Sequence, residues 1–164
     1  MDSSTPPSDW TPRAPYNEIS NYGNGRMGIS GRALKSLRNR FSFTQLRFYC
    51  RKQRVRRTFH VTTVANSSGK AVVQYFTGEK DEQPKSCGSF VRMEDDNSQL
   101  ASMCDKWGGH GFWGRKSNPG GYALFKQGPS VKDQHSWQPF LKSWKCDDYD
   151  DNVSTGDFWR TYVR

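Results

Sequence analysis

Six basic residues crowd one short stretch: Arg47, Arg51, Lys52, Arg54, Arg56 and Arg57. Most are arginines, whose planar fork of N–H donors suits sulfate, phosphate and carboxylate oxygens. The stretch lies inside a longer block, residues 19–78, that contains 12 Lys/Arg and no Asp or Glu. The rest of the chain sets 13 basic residues against all 16 acidic ones, a balance of −3, so the net +9 originates in the block. Such asymmetry points to a polyanionic partner. The plainer reading is that acids at Glu79/Asp81/Glu82, Glu94/Asp95/Asp96 and Asp147/Asp148/Asp150/Asp151 neutralise the block across the folded surface.

A second constellation is the glycine- and aromatic-rich segment 107–122, with Trp107, Phe112, Trp113 and Tyr122. Aromatic faces stack on sugar rings, and glycine lets backbone approach a ligand closely, so these four rings are candidate glycan contacts. The alternative is that they turn inward to complete a small core. A third is the acidic run Asp147, Asp148, Asp150 and Asp151, whose carboxylates are candidate calcium ligands. It lacks the glycine and terminal glutamate of the twelve-residue calcium loop, and a solvated acidic loop is the competing reading. No other cofactor is expected.

Catalytic signatures are missing. His60, His110 and His135 form no HExxH or similar spacing, and no Gly-x-Ser-x-Gly, phosphate loop or dinucleotide fingerprint occurs. The chain reads as a non-enzyme. Its four cysteines, Cys50, Cys87, Cys104 and Cys146, have no CxxC spacing of the kind zinc sites use. Two disulfides are the economical reading, in one of three connectivities, with Cys87–Cys104 and Cys50–Cys146 favoured. Four reduced thiols in a cytosolic protein are the alternative. The sequons Asn66-Ser67-Ser68 and Asn152-Val153-Ser154 are compatible with secretion.

These residues need elements to hold them. Gln45 to Arg51 alternates, with Leu46, Phe48 and Cys50 on one face and Arg47, Tyr49 and Arg51 on the other, as a half-buried strand does. Arg57–Val64 reads as a second strand, Asn66–Gly69 as a turn and Lys70–Phe76 as the returning strand of a hairpin or meander. Short strands are also expected at Ser89–Met93, Tyr122–Phe125 and Gly156–Arg164. Ala33, Leu34, Leu37 and Phe41 suit a short helix, and Asp95–Cys104 suits two helical turns after an Asp or Asn cap. The first 25 residues, with Pro6, Pro7, Pro12 and Pro15, read as an extended arm, and 26–164 as one domain. The expected class is all-β: a single small disulfide-stapled sandwich, prism or barrel with at most one or two short helices.

Composition narrows the class further. Hydrophobic residues make up only 33%, yet aromatics reach 14%, which argues against wholesale disorder and for a core built on large rings. No run approaches the ~18 apolar residues of a membrane span, so a soluble chain without membrane insertion is expected. The first residues hold no apolar leader, so the protein is either intracellular or a mature chain beginning at an added Met.

Phe43-Thr44-Gln45-Leu46-Arg47-Phe48-Tyr49-Cys50 resembles a strand of the secreted vitelline-membrane outer-layer and dermatopontin-like matrix proteins, though the Gly-Trp repeats of the former are not reproduced. More broadly, Arg57–Thr63, Cys87–Asp96 and the ending from Cys146 to Arg160 resemble secreted matrix-type proteins of marine invertebrates. That resemblance would span most of the chain after residue 15. It implies a secreted, extracellular, structural or binding component of an extracellular or skeletal (biomineral) matrix, and no catalytic residues. The expected partner is a sulfated glycan or a mineral surface such as silica, with self-assembly as a further option. Two other functions compete: a lectin using the 107–122 loop, and a nucleic-acid binder. Against the latter, no RRM, KH, helix-turn-helix or zinc-finger signature is present.

Overall fold

In the computed structural model of the protein, residues 31–114, 128–132, 135–138 and 144–164 are described. The expected arm at 1–25, the strand at Tyr122–Phe125 and Tyr122 itself lie outside them. In chain order the elements are α1 (Gly31–Phe41), β1 (Leu46–Lys52), β2 (Arg57–Thr63), α2 (Ser67–Phe76), β3 (Phe90–Arg92) and α3 (Gln99–Ser102). A 3-10 segment at Cys104–Gly109 follows, then β4 (Ser130–Val131), β5 (His135–Trp137), β6 (Cys146–Asp148) and β7 (Phe158–Val163). The strands make two antiparallel sheets, β3-β2-β1-β7 and β4-β5-β6. Neither sheet closes into a barrel.

The alternation in β1 is realised. Leu46, Phe48 and Cys50 are buried, while Arg47, Tyr49 and Arg51 lie on the opposite face. Phe48 centres the core, its ring 5.1, 5.3 and 5.2 Å from those of Phe76, Trp113 and Trp137. The small sheet packs through β6 against β1 and β2, and α2 packs against β2. Both covers therefore serve one face of the larger sheet.

Two expectations about elements are corrected. The segment 70–76 is not a returning strand but most of α2, so the described residues hold three α-helices rather than one or two. Asn66 does not begin a hairpin turn; its Oδ1 accepts from the N–H groups of Ser68 and Gly69 and caps the helix. Val72, Val73 and Phe76 recur at the helical period and are buried, as is Tyr75. β-branched content argued for a strand, but that preference reflects packing on a pleated surface rather than a backbone rule. The place beside β2 goes to β3 instead, and the C-terminal strand takes the far side of β1.

The bridges are Cys50–Cys146 and Cys87–Cys104, and the described residues hold no free cysteine. The first ties the middle of β1 to the start of β6, joining the two sheets. The second closes the segment that carries β3 and α3. No helix among the described residues is long and apolar enough to cross a membrane.

Candidate functional site

The acidic run is taken up by structure. Asp147 accepts from the N–H groups of Gln99 and Leu100, at 2.9 and 2.6 Å, and lies 3.7 Å from Arg57 Nε. Asp148 accepts from Cys146 N–H at 2.8 Å and pairs with Lys52 Nζ at 2.7 Å. Asp150 pairs with Arg54 at 3.0 Å, and Asp151 accepts from Trp144 N–H at 3.0 Å. The four carboxylates serve four different sets of donors, and among the described residues no acidic, histidine or cysteine cluster suits a metal. The structure thus does not gather Asp147, Asp148, Asp150 and Asp151, the candidate calcium ligands, into one cluster. Burial pushes the Asp147 and Asp148 carboxyls above the ordinary aspartate value, and their N–H donors and cationic neighbours only partly offset this.

The same contacts divide the basic run. Lys52 is not a surface contact for an anion: it is 1% exposed, held by Asp148 and by the Asp150 carbonyl. Arg54 and Arg57 face the acidic run, and Arg57 also donates to the Asn97 carbonyl. Arg56 sits exposed in the β1–β2 turn with φ of 51°. Of the six, only Arg47 and Arg51 project from the outer face of the sheet.

The aromatic segment also turns inward. Trp107 and Trp113 are fully buried, so they offer no ring to a glycan. Their indole N–H groups donate to the Leu100 carbonyl and to Ser89 Oγ, both at 2.8 Å, which removes the cost of burying them. Phe112 is half-buried. Gly108, Gly111 and Gly114 have φ of 58°, 75° and 76°, so these glycines fold the loop tightly enough to deliver both tryptophans to the core.

Among the described residues the outer face of β3-β2-β1-β7 is left partly open: Arg51, Arg160 and Tyr162 are exposed, Arg47, Tyr49, Thr62 and Phe158 half-buried, and His60 and Thr58 buried. Residues directly opposite each other in antiparallel strands share a face, so the register sets out three rows. Thr62, Arg47 and Tyr162 form the first, His60, Tyr49 and Arg160 the second, and Thr58, Arg51 and Phe158 the third. Each row contains one arginine, and at ~3.4 Å per residue Arg47 and Arg51 stand about 14 Å apart along β1. No strand of this sheet contains an acidic residue.

The rings hold the arginines in place. The Arg47 guanidinium lies 4.7 Å from the centroid of Tyr162, and that of Arg160 lies 4.7 Å from the centroid of Phe158. Tyr49 meets Phe158 edge-on at 4.7 Å and stacks on His60 at 4.0 Å with 16° between planes. Stacking occupies the flat side of a guanidinium, while its N–H donors lie in its plane. At the β2 border His60 Nδ1 bonds to Asp95 Oδ1, and His60 N–H donates to Asp96 Oδ2 at 2.6 Å. Burial raises the Asp95 carboxyl, but its bonds to His60 and Tyr49 outweigh that and hold it below the ordinary aspartate value. Burial, followed by the Asp95 charge, raises the Tyr49 hydroxyl.

Sequence reasoning found Arg47 and Arg51 but missed Arg160, Phe158, Tyr162 and His60 as members of one surface. The available signal was the alternation in the closing strand, whose partner strand is about a hundred residues earlier. No protein-family model, curated protein or solved structure matches the chain.

Proposed function

We propose that the protein is a non-enzymatic, secreted component of an extracellular matrix that binds a sulfated polysaccharide across the outer face of its four-stranded sheet. The observation that carries this reading is the three-row face, with one arginine per row and no carboxylate on any strand. Guanidinium forks match sulfate oxygens, and aromatic edges between them suit the apolar sides of sugar rings. Two disulfides support an oxidising compartment. The rings would also suit stacked bases, but His60 covers Tyr49 and the two guanidiniums cover Tyr162 and Phe158. That leaves little bare ring for a nucleic acid and favours the sulfated sugar.

The test compares two triple-alanine variants on immobilised heparin across a salt series. Arg47, Arg51 and Arg160 are replaced in one, and the exposed Lys70, Lys85 and Lys106 in the other; both take the net charge from +9 to +6. At physiological salt the Debye length is ~8 Å, so only charges next to the ligand count. The arginine variant is expected to elute at much lower salt than wild type, and the lysine variant close to it. Equal losses would reduce the effect to bulk charge and overturn the assignment. Stronger binding to single-stranded DNA than to heparin would favour the nucleic-acid reading, and stronger adsorption to silica would favour a mineral surface.

A further inference from the structure

Among the described residues of this face, Arg47 Nε and His60 Nε2 are both buried without a hydrogen-bond partner, and His60 is the one of the two that is bonded to a carboxylate. It is 5% exposed, its Nδ1 is committed to Asp95, and its Nε2 is buried without a hydrogen-bond partner. A buried polar atom left without a partner calls for a physical reason. Several groups surround the imidazole. On β1 these are Tyr49, stacked against it, with Arg47 and Arg51 in the neighbouring rows. Arg160 on β7 completes its own row. Beside it runs the segment of Arg92, Glu94, Asp95 and Asp96, where Met93 N–H donates to the His60 carbonyl.

We propose that His60 and Asp95 form a pH-sensitive element of the polyanion face, which grips its ligand more tightly as the imidazole gains a proton. This rests on the sheet face being the binding surface. The geometry gives the direction. With a neutral imidazole, Asp95 is an uncompensated anion at the border of an arginine surface and repels a sulfated chain. The imidazolium cancels that charge through the Nδ1–Asp95 contact.

The other groups on the face keep their charge state across the same interval. Arginines stay protonated, the Tyr49 hydroxyl is pushed up and the Asp95 carboxyl is held down. Imidazole is the side chain that ordinarily changes charge between about pH 5 and 8.

The experiment measures the Kd of a size-defined heparin oligosaccharide at about pH 5.5 and about pH 7.5, at constant ionic strength. One added charge beside the ligand is expected to tighten wild-type binding about three- to ten-fold at the lower pH. His60→Gln is expected to bind with almost no difference between the two, whereas His110→Gln and His135→Gln keep the wild-type ratio. Asp95→Asn, which leaves His60 in place should His60→Gln fold poorly, is expected to bind more tightly at about pH 7.5 and to narrow the ratio. A His60→Gln variant with the wild-type ratio overturns this inference and leaves the binding face standing. A wild-type protein that binds heparin at neither pH overturns both.

Discussion

Lys52 stands in the middle of the basic run, yet it is among the most buried side chains in the protein. Its place in β1 explains this. Positions 46, 48, 50 and 52 share one strand face, and that face is the core side, so the fourth of them is carried inward with Leu46, Phe48 and Cys50. The chain answers with Asp148 at 2.7 Å and the Asp150 carbonyl at 2.5 Å. A buried ion pair adds little net stability, but breaking it strands a charge away from water. Lys52→Ala is therefore expected to destabilise the protein by about 3–5 kcal/mol, read by urea denaturation, and Lys52→Met with Asp148→Leu to recover most of that loss. A cost below ~1 kcal/mol for the single variant would mean that Lys52 is solvated like a surface residue.

At the scale of elements, α2 shows where periodicity and propensity part company. Its valines and aromatic residues suit a strand, and the same positions match the buried face of a helix. The cap settles the matter locally, since Asn66 satisfies two N–H groups that a helix start otherwise leaves open. The approach to β2 settles it globally. A Cβ on Gly69 would lie 1.8 Å from the Val64 carbonyl oxygen, so only glycine permits this entry into the helix. Asn66→Ala is expected to cost about 1 kcal/mol, as a lost N-cap does. Gly69→Ala should cost more, because backbone rather than a flexible side chain has to move. Thermal unfolding of the two variants checks that ranking, and the reverse order would show that the cap, not the close approach, positions α2.

For the whole molecule, the two bridges do different jobs. Cys50–Cys146 spans 96 residues and joins the two sheets, whereas Cys87–Cys104 spans 17 and braces a local segment. Chain entropy makes the long closure worth roughly 4.7 kcal/mol and the short one roughly 3. Removing the 50–146 pair by double alanine substitution is accordingly expected to lower the urea midpoint more than removing the 87–104 pair. It should also loosen the contact of the small sheet with β1, visible as faster hydrogen exchange in β6. A larger effect from the 87–104 pair would place the main stabilising closure in the β3–α3 segment.

Much of this was legible in the residues themselves. Period-2 alternation marked β1 and the closing strand, because a half-buried strand must separate apolar from polar side chains, and β-branched content marked β2. Cysteine number and spacing pointed to two bridges. Charge counting singled out the middle of the chain as basic, but it did not show which cations face solvent. Arg47, Lys52, Arg54 and Arg57 look alike in sequence and differ only in what the fold sets beside them: a tyrosine ring for Arg47, a buried aspartate for Lys52 and for Arg57, and a half-buried one for Arg54. Trp107 and Trp113 equally suit a sugar platform or a core, and the decision came from the positive-φ glycines that turn the loop inward. The outer face depends on pairing residues 47–51 with 158–162, a contact of high sequence separation. Local patterns carry no register between segments so far apart; side-chain packing and the 50–146 bridge supply it only once the chain has folded.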